Sequence, residues 1–189
     1  MKNTRHSLTA LTLALALVAP AAMHAANATS TPAAYISAVH AEQASELLKD
    51  VRALAARVSD STDTLTVSSS ANQLHWMTHL SRLNEAKDGV NEIGEKLQML
   101  QSMRNSVHPW QQEAIDRIHA SSLMAAKHTD SALRYLNDNK RWLVAPSYKD
   151  DVSAIQAHAE SVRNTANDFL SYANTKDKLG ALQERLVFE

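Results

Sequence analysis

Two histidines spaced four residues apart, His75 and His79, are the side chains whose types and spacing most directly suggest chemistry in this sequence. On an α-helix, residues i and i+4 lie on one face within about 6 Å, so two imidazoles can bind the same metal ion. The pair is therefore a candidate ligand set for a metal ion or a haem. The simpler interpretation is that His79 packs in a helix interface while His75 is solvated.

Other kinds of catalytic site find little support among the residues. The two histidines enclose Trp76, Met77 and Thr78, so the glutamate base of a zinc protease of the HExxH type is absent. No Glu-x-x-His occurs, which excludes a ferritin-like di-metal site, and no Gly-x-Ser-x-Gly turn occurs. The chain has no cysteine. We therefore expect a protein that is not an enzyme and needs no cofactor, with metal or haem binding as the alternative.

The composition indicates which elements must position these residues. Hydrophobic residues make up 44% of the 189 residues and charged residues 21%, which is typical of a globular domain. Three glycines and four prolines are too few for an architecture of strands and tight turns, so a nearly all-helical chain is expected. The formal net charge of -1 gives no reason to expect nucleic-acid binding.

The N-terminal segment has the pattern of an export signal. Lys2 and Arg5 precede the uncharged apolar stretch Leu8–Ala22, and the small residues Ala26 and Ala28 follow. This stretch is shorter than the roughly 20 apolar residues that span a bilayer, and cleavage after Ala28 fits the pattern. We expect residues 1–28 to be a cleaved signal peptide, residues 29–189 to be the mature domain, and the protein to be periplasmic or secreted.

Apolar residues recur with alternating steps of three and four along the mature chain, which is typical of amphipathic helices. Four such seams occur. Their members are His40, Ala44, Leu47, Val51, Leu54, Val58 and Leu65; Trp76, His79, Leu83, Ala86, Val90, Ile93, Leu97 and Leu100; Ile115, Ile118, Ser122, Ala125, Thr129, Ala132 and Leu136; and Tyr148, Val152, Ile155, Ala159, Val162, Ala166, Phe169 and Ala173.

These seams predict helices near 32–60, 71–105, 109–142 and 147–186. The Ser/Thr-rich stretch 59–70 is interpreted as the first connection, because its residues are poor helix formers, although Leu65 and Val67 also fit a continued helical stripe. Ser70 to Gln73 reads as a capping box. Short connections favour antiparallel neighbours, so the expected fold is an elongated up-down-up-down four-helix bundle.

The antiparallel arrangement makes two predictions about side chains that meet. The start of the second helix, the end of the third and the start of the fourth share one end, so aromatic and acidic residues should gather near His75 and His79: Tyr135, Asp138, Trp142, Tyr148, Asp150 and Asp151. His128 and His158 fall at comparable heights and can approach each other. Gly89 and Gly94 are interpreted as points where helices approach closely.

The last helix changes phase after Ala173. Leu179, Leu182 and Leu186 continue from Tyr172 rather than from the seam, so the stripe drifts away from the core. The drift indicates either an irregular helix end or a surface for a partner, including a dimer contact. We take these three leucines as candidate partner-surface residues.

The run PWQQEAIDRIHASSLMAAKHTDSALRYLND, from Pro109 to Asp138, and the preceding EKLQMLQSM resemble the core of uncharacterised bacterial exported helical proteins. The resemblance covers about two thirds of the chain and carries no catalytic motif. It implies export and an all-helical fold and transfers no activity.

The sequence therefore predicts a non-catalytic exported bundle with a binding or structural role in the periplasm or cell envelope. The expected partner is a protein or another envelope component, with homo-oligomerisation open and no stable membrane span after cleavage. The alternatives are a metal- or haem-binding bundle that uses His75 and His79, and a periplasmic chaperone-like protein with an open cradle.

Overall fold

The computed structural model describes residues 32–70, 75–140, 143 and 145–187, and every regular element in these residues is helical. Helix α1 spans Pro32–Ser70, α2 Trp76–Met103, α3 Pro109–Asp138 and α4 Pro146–Val187, and a 3₁₀ turn at Arg104–Ser106 follows α2. The predictions of an all-helical fold and of four helices are confirmed for this part of the chain. The predicted signal peptide, residues 1–28, lies outside it.

The four helices pack side by side around one core. Helix α1 packs against α2 and α4, and α3 packs against the same two helices. Between α1 and α4, Arg52 donates to the Asn167 amide oxygen at 3.4 Å, and Gln156 donates to the Asp63 carboxylate at 3.2 Å. As residue numbers rise in α1, their partners' numbers fall in α4, so the start of α1 lies beside the end of α4.

The buried face of each helix follows the seam that its spacing predicted. All predicted members of the α3 seam are buried, and in α2 the seam is buried from His79 onward. Helix α4 departs from the prediction at its last core turn, where Leu170 is buried and Phe169 only partly so. Burial of one apolar face against neighbouring helices is the main source of helix stability in such a fold.

Helix α1 continues through the Ser/Thr-rich stretch 59–70, so the prediction that this stretch connects two helices was wrong. Ser and Thr hydroxyls can disfavour a helix by hydrogen-bonding to nearby backbone groups. Here they hydrogen-bond to carbonyls of the helix itself: Thr62 donates to the Val58 carbonyl at 3.0 Å, and Thr66 donates to the Thr62 carbonyl at 3.1 Å. Leu65 is fully buried. Tertiary packing therefore outweighs the weak helix propensity of these residues.

The start of α2 also differs from the prediction. The helix begins at Trp76 rather than near residue 71, and His75 precedes it in an extended conformation. The His75 carbonyl accepts the first hydrogen bonds of the helix, from the Thr78 and His79 amides at 2.8 and 3.3 Å. Most of the predicted capping box at Ser70 to Gln73 lies outside the described residues.

A buried amide fixes the start of α3 against α1. Gln111 is fully buried, and its side-chain nitrogen donates to the Ala41 carbonyl at 2.6 Å and to the Ser45 hydroxyl at 3.2 Å. Its oxygen accepts from the His108 backbone N–H at 3.0 Å, which caps the helix. Because every polar atom of this amide has a partner, its burial carries little desolvation cost.

The two glycines of α2 have different surroundings. A methyl group at Gly89 would lie 2.6 Å from Val58 Cγ2, so α1 and α2 approach closely there as expected. At Gly94 a methyl group would meet no atom within 4 Å, so the prediction of a close approach was wrong for this residue. Gly94 is exposed, and the space beside it is open.

Candidate functional site

His79 lies in the core at the end of the molecule where α2 and α4 begin. It is 1% exposed, and its Nδ1 lies 2.8 Å from the Tyr148 hydroxyl. Burial lowers the pKa of His79 below its usual value, and burial raises the pKa of Tyr148. Both side chains are therefore neutral near neutral pH, and the imidazole tautomer decides which of them donates the proton of the hydrogen bond.

Aromatic residues from three helices surround this contact. Tyr135 of α3 stacks on Tyr148 with 5.6 Å between ring centroids. The Trp76 indole N–H donates to the Leu136 carbonyl at 3.0 Å, and the Lys140 ammonium lies 4.8 Å from the centre of a Trp76 ring. The predicted gathering of aromatic residues at this end is confirmed for Tyr135, Tyr148 and Trp76, while Trp142 lies outside the described residues.

His75 and His79 occupy unlike environments. His75 is exposed and precedes the helix, whereas His79 is buried and uses one ring nitrogen to contact Tyr148. Within the described residues, no three His, Cys, Asp or Glu side chains are placed to hold a metal ion together. Metal or haem binding by this pair therefore stays a prediction, and one that needs the exposed His75 to approach a buried partner.

Asp151 lies about one helical turn beyond Tyr148 on α4, with α3 side chains as its partners. Its carboxylate accepts from His128 Nδ1 at 2.8 Å and from the Ser131 hydroxyl at 2.6 Å. These hydrogen bonds join α3 to α4. The predicted gathering of Asp151 near His75 and His79 stays a prediction.

The predicted approach of His128 and His158 is confirmed. Their rings stack with 5.8 Å between centroids and an angle of 16° between planes. Burial lowers the pKa of His158, and the neighbouring His128 lowers it further, because two positive charges at this distance repel. The pair and Asp151 form a polar contact between α3 and α4.

The candidate partner surface lies on the last turns of α4, beyond the buried part of that helix. The side chains of Leu179, Leu182 and Leu186 are 56%, 48% and 73% exposed. Tyr172, which shares their phase, is exposed as well. At 100° per residue these four side chains lie on one face of the helix. The three leucines form an apolar stripe in contact with solvent, and Tyr172 lies on the same face beyond Thr175 and Lys176.

Charged residues around this stripe are sorted by sign. Lys178 and Arg185 border it on one side and Lys176 borders it on the other, whereas Asp177 and Glu184 lie on the opposite face of the helix. The end of α4 is therefore a basic amphipathic segment. The first turns of α1 lie at the same end of the molecule and add further exposed apolar side chains: Tyr35, Ile36 and Val39.

None of the helices in the described part of the chain is both long and apolar enough to cross a membrane. Comparison with known families, curated proteins and solved structures finds no match. The resemblance to uncharacterised exported helical proteins accordingly stays a prediction.

Two partners in these contacts were not foreseen from the sequence. Ser131 follows His128 by three residues and so shares its helix face, a spacing that points to a common partner. Lys140 follows the end of α3 and carries no such signal, since its position over Trp76 depends on how the chain leaves the helix.

Proposed function

We propose that this protein is an exported, non-catalytic, antiparallel four-helix bundle of the periplasm or cell envelope, and that it binds an anionic membrane surface. The contact is made by the apolar stripe Tyr172, Leu179, Leu182 and Leu186 together with the cations that border it. The observation that carries the proposal is the combination of exposed leucines with sorted charges on the end of α4.

The chemistry of this segment matches a lipid surface. A helix that lies in the interface of an anionic bilayer places leucines among the acyl chains and lysines and arginines among the headgroups. The long aliphatic stems of Lys176, Lys178 and Arg185 can lie along the apolar layer while their charges stay in water. The carboxylates of Asp177 and Glu184, on the opposite face, then point away from the lipid phosphates.

A second copy of this chain fits the stripe less well. If two stripes paired in opposite directions about Leu182, Lys178 of one copy would lie near Arg185 of the other, and like charges at such flanking positions destabilise the pair. An acidic partner protein would satisfy the charges and is an alternative outcome of the test. The vesicle experiment described next distinguishes a membrane surface from a second copy of the chain and from an acidic protein.

The proposal is tested by sedimentation of the exported protein with vesicles of phosphatidylglycerol or of phosphatidylcholine. We expect binding to the anionic vesicles that weakens with added salt, because salt screens exposed charges. Leu182→Asn should weaken binding by roughly tenfold or more, since burial of one leucine contributes about 1.5–3 kcal/mol. Lys178→Gln should weaken it by about fivefold, from about 1 kcal/mol per basic residue at such a surface.

Matched controls are available on α2 and α3. Leu123→Asn changes an exposed leucine of α3, and Lys87→Gln changes an exposed lysine of α2, so both should leave vesicle binding unchanged. The proposal fails if wild-type protein ignores anionic vesicles or if Leu182→Asn binds as well as wild type. Self-association that depends on Leu182 without vesicle binding would assign the stripe to a second copy instead.

Metal or haem binding through His75 and His79 is the alternative proposal. Elemental analysis and an absorption spectrum of protein purified without chelator test it directly. A stoichiometric metal or a haem band that His79→Gln removes would favour this function. A chaperone-like role is the second alternative, and it predicts that the protein suppresses aggregation of an unfolded client.

A further inference from the structure

A cleft opens on the outside of the molecule between the first turns of α3 and the second half of α4. Its volume is about 280 Å³, slightly below the roughly 300 Å³ at which typical small-molecule sites begin, so it suits a ligand of one ring. The residues that line it are Trp110 and Arg117 on α3 and Thr165, Asp168, Phe169 and Tyr172 on α4. The cleft therefore combines aromatic rings with polar and charged groups.

Three aromatic rings form the apolar part of the cleft. Trp110 stacks on Phe169 with 6.3 Å between ring centroids and 14° between planes, and it meets the Tyr172 ring edge-on at 6.1 Å. Trp110 and Phe169 also pack against the core, whereas Tyr172 is 53% exposed. Because packing holds the two inner rings in place, a ligand that contacts them loses little free energy in ordering the site.

The two charged side chains at the cleft are accessible and are not paired with each other. Arg117 Nε donates to the Glu113 carboxylate at 2.8 Å, and the terminal nitrogens of this exposed guanidinium remain available as donors. Asp168 is exposed, and its carboxylate has neither an ion pair nor a hydrogen bond with any described residue. The cleft thus offers a ligand both a charged donor and a charged acceptor.

Two further polar groups at the cleft have no protein partner. Thr129 and Thr175 each donate to the carbonyl four residues earlier, as threonines in helices can, but within the described structure the Thr165 hydroxyl makes no such bond. The Trp76 indole N–H donates to a backbone carbonyl, whereas that of Trp110 has no hydrogen-bond partner in the part of the chain that is described. Thr165 and Trp110 are only partly buried, so a ligand can reach them.

The charges at the cleft disfavour an ionic ligand of either sign. The Arg117 guanidinium lies 5.7 Å from the centre of the Phe169 ring, so a cationic ligand on this ring would be repelled by a cation already present. An anionic ligand would meet the unpaired Asp168 carboxylate. A neutral molecule with hydroxyl groups can instead donate to Asp168 and accept from Arg117, and hydrogen bonds to charged groups are the stronger class.

We propose that the cleft binds a neutral sugar in its pyranose form. The C–H bonds on one face of such a ring form an apolar surface that packs on aromatic side chains, while the hydroxyls around its edge both donate and accept hydrogen bonds. A wholly apolar ligand would leave the polar groups of the cleft without partners, which costs free energy wherever the ligand excludes water from them.

The sugar is either a free saccharide or the headgroup of a glycolipid. Tyr172 lines the cleft and lies on the same face of α4 as the exposed leucines, so a membrane that contacts the leucines would bring headgroups near the cleft. The sugar site itself does not depend on the proposed membrane contact, because its hydrogen-bonding groups belong to the cleft alone.

The first experiment is saturation-transfer-difference NMR on the exported protein with four neutral probes, the methyl glycosides of glucose, galactose, mannose and N-acetylglucosamine. We expect at least one of them to bind with a Kd of about 1 mM, since a one-ring ligand makes few contacts. Choline is the parallel cationic probe. Absence of binding by all four glycosides, or binding of choline in their place, would overturn the proposal.

Variants at exposed positions locate the bound glycoside. Tyr172→Ala removes a ring and Asp168→Asn removes the carboxylate charge, so each should weaken binding by about tenfold. Tyr172→Phe keeps the ring and should bind within about twofold of wild type. The matched controls are Tyr35→Ala on α1 and Asp88→Asn on α2, which change exposed residues elsewhere and should bind as wild type does. Far-UV circular dichroism on each variant verifies that the helices are intact.

Unchanged binding by both Tyr172→Ala and Asp168→Asn, or an equal loss in the two controls, would contradict the proposal. Leu182→Asn alters the leucine stripe and should leave glycoside binding unchanged, so failure of the membrane contact and failure of the sugar site are distinguishable. If Leu182→Asn abolishes glycoside binding and Asp168→Asn does not, the probe lies on the stripe and the sugar site is overturned.

A last experiment distinguishes the two sources of the sugar. Phosphatidylcholine vesicles are compared with and without a glycolipid that carries the best-binding of the four sugars. Preference for the sugar-bearing vesicles that Asp168→Asn removes would assign the site to a lipid headgroup. Equal sedimentation with both vesicles, together with binding of the soluble glycoside, would assign it to a free saccharide.

Discussion

Helix α4 is one continuous helix whose two halves have different surroundings. From Tyr148 to Leu170, a residue in every turn is buried against α1 and α3. From Ser171 to Val187, no residue of the described chain is buried, although three leucines are present. The difference shows that hydrophobic content does not decide which half packs. The phase of the apolar residues decides, since only side chains that face the neighbouring helices can be buried.

Truncation of a large aliphatic side chain should destabilise the protein much more in the packed half than in the exposed half. Ile155→Ala in the packed half should lower the free energy of unfolding by about 2–5 kcal/mol, because it creates a cavity in the core. Leu182→Ala in the exposed half should change it by less than about 0.5 kcal/mol. Urea denaturation followed by circular dichroism measures both, and equal losses would show that the tail is packed in solution.

The hydroxyl of a buried tyrosine should matter more than that of an exposed one. Tyr148→Phe leaves His79 Nδ1 without its buried partner and should cost about 1–3 kcal/mol of stability. Tyr172→Phe, in the exposed half, should cost nearly nothing. Thermal unfolding of the two variants compares them. A Tyr148→Phe protein as stable as wild type would show that His79 finds another partner.

Acid should weaken the packed half. The pKa values of His79 and His158 are lowered in the folded protein, so the unfolded chain binds more protons as pH falls below the usual histidine value of 6.5. Stability should therefore be full above that pH and decline as pH falls through the lowered folded-state values. The described residues of the exposed half include no histidine.

The pH effect is measured as the melting temperature between pH 7.5 and pH 5.5. His79→Gln keeps a hydrogen-bonding group near Tyr148 without a titrating ring, and His158→Asn removes the other shifted group. Each variant should show a shallower decline than wild type. An unchanged slope in both would assign the decline to other groups.

Substitution of alanine for two glycines that have open surroundings should change the free energy of unfolding least. These two substitutions also compare the two halves most directly. Gly94→Ala should raise the free energy of unfolding by about 0.5–1 kcal/mol, because alanine favours the helix and fits the space. Gly180→Ala makes the same change in the exposed half. The end of α4 can fray locally without unfolding of the whole protein, so its helix stability contributes little to the global free energy of unfolding. Its effect on the denaturation midpoint should be close to zero. Equal gains would indicate that the tail unfolds together with the core.

The sequence predicted the parts of the fold that depend on residues within one helix. The spacing from Ile115 to Leu136 identified a buried face that the structure confirms, and the change of phase after Ala173 identified where burial ends. These features follow from the 3.6-residue period, which any helix imposes on its own side chains. The prediction failed for the stretch 59–70, where propensity favoured a connection and packing of Leu65 extended the helix.

Tertiary structure alone decided which side chains meet between helices. The His79 ring is hydrogen-bonded to the Tyr148 hydroxyl, and the Asp151 carboxylate is hydrogen-bonded to His128. The space beside Gly94 likewise could not be read from its type, since Gly89 five residues earlier is closely packed. Such contacts depend on the axial offset and rotation of one helix relative to another. Those quantities are set by packing of the whole core, whereas the spacing within each helix fixes only the face that it buries.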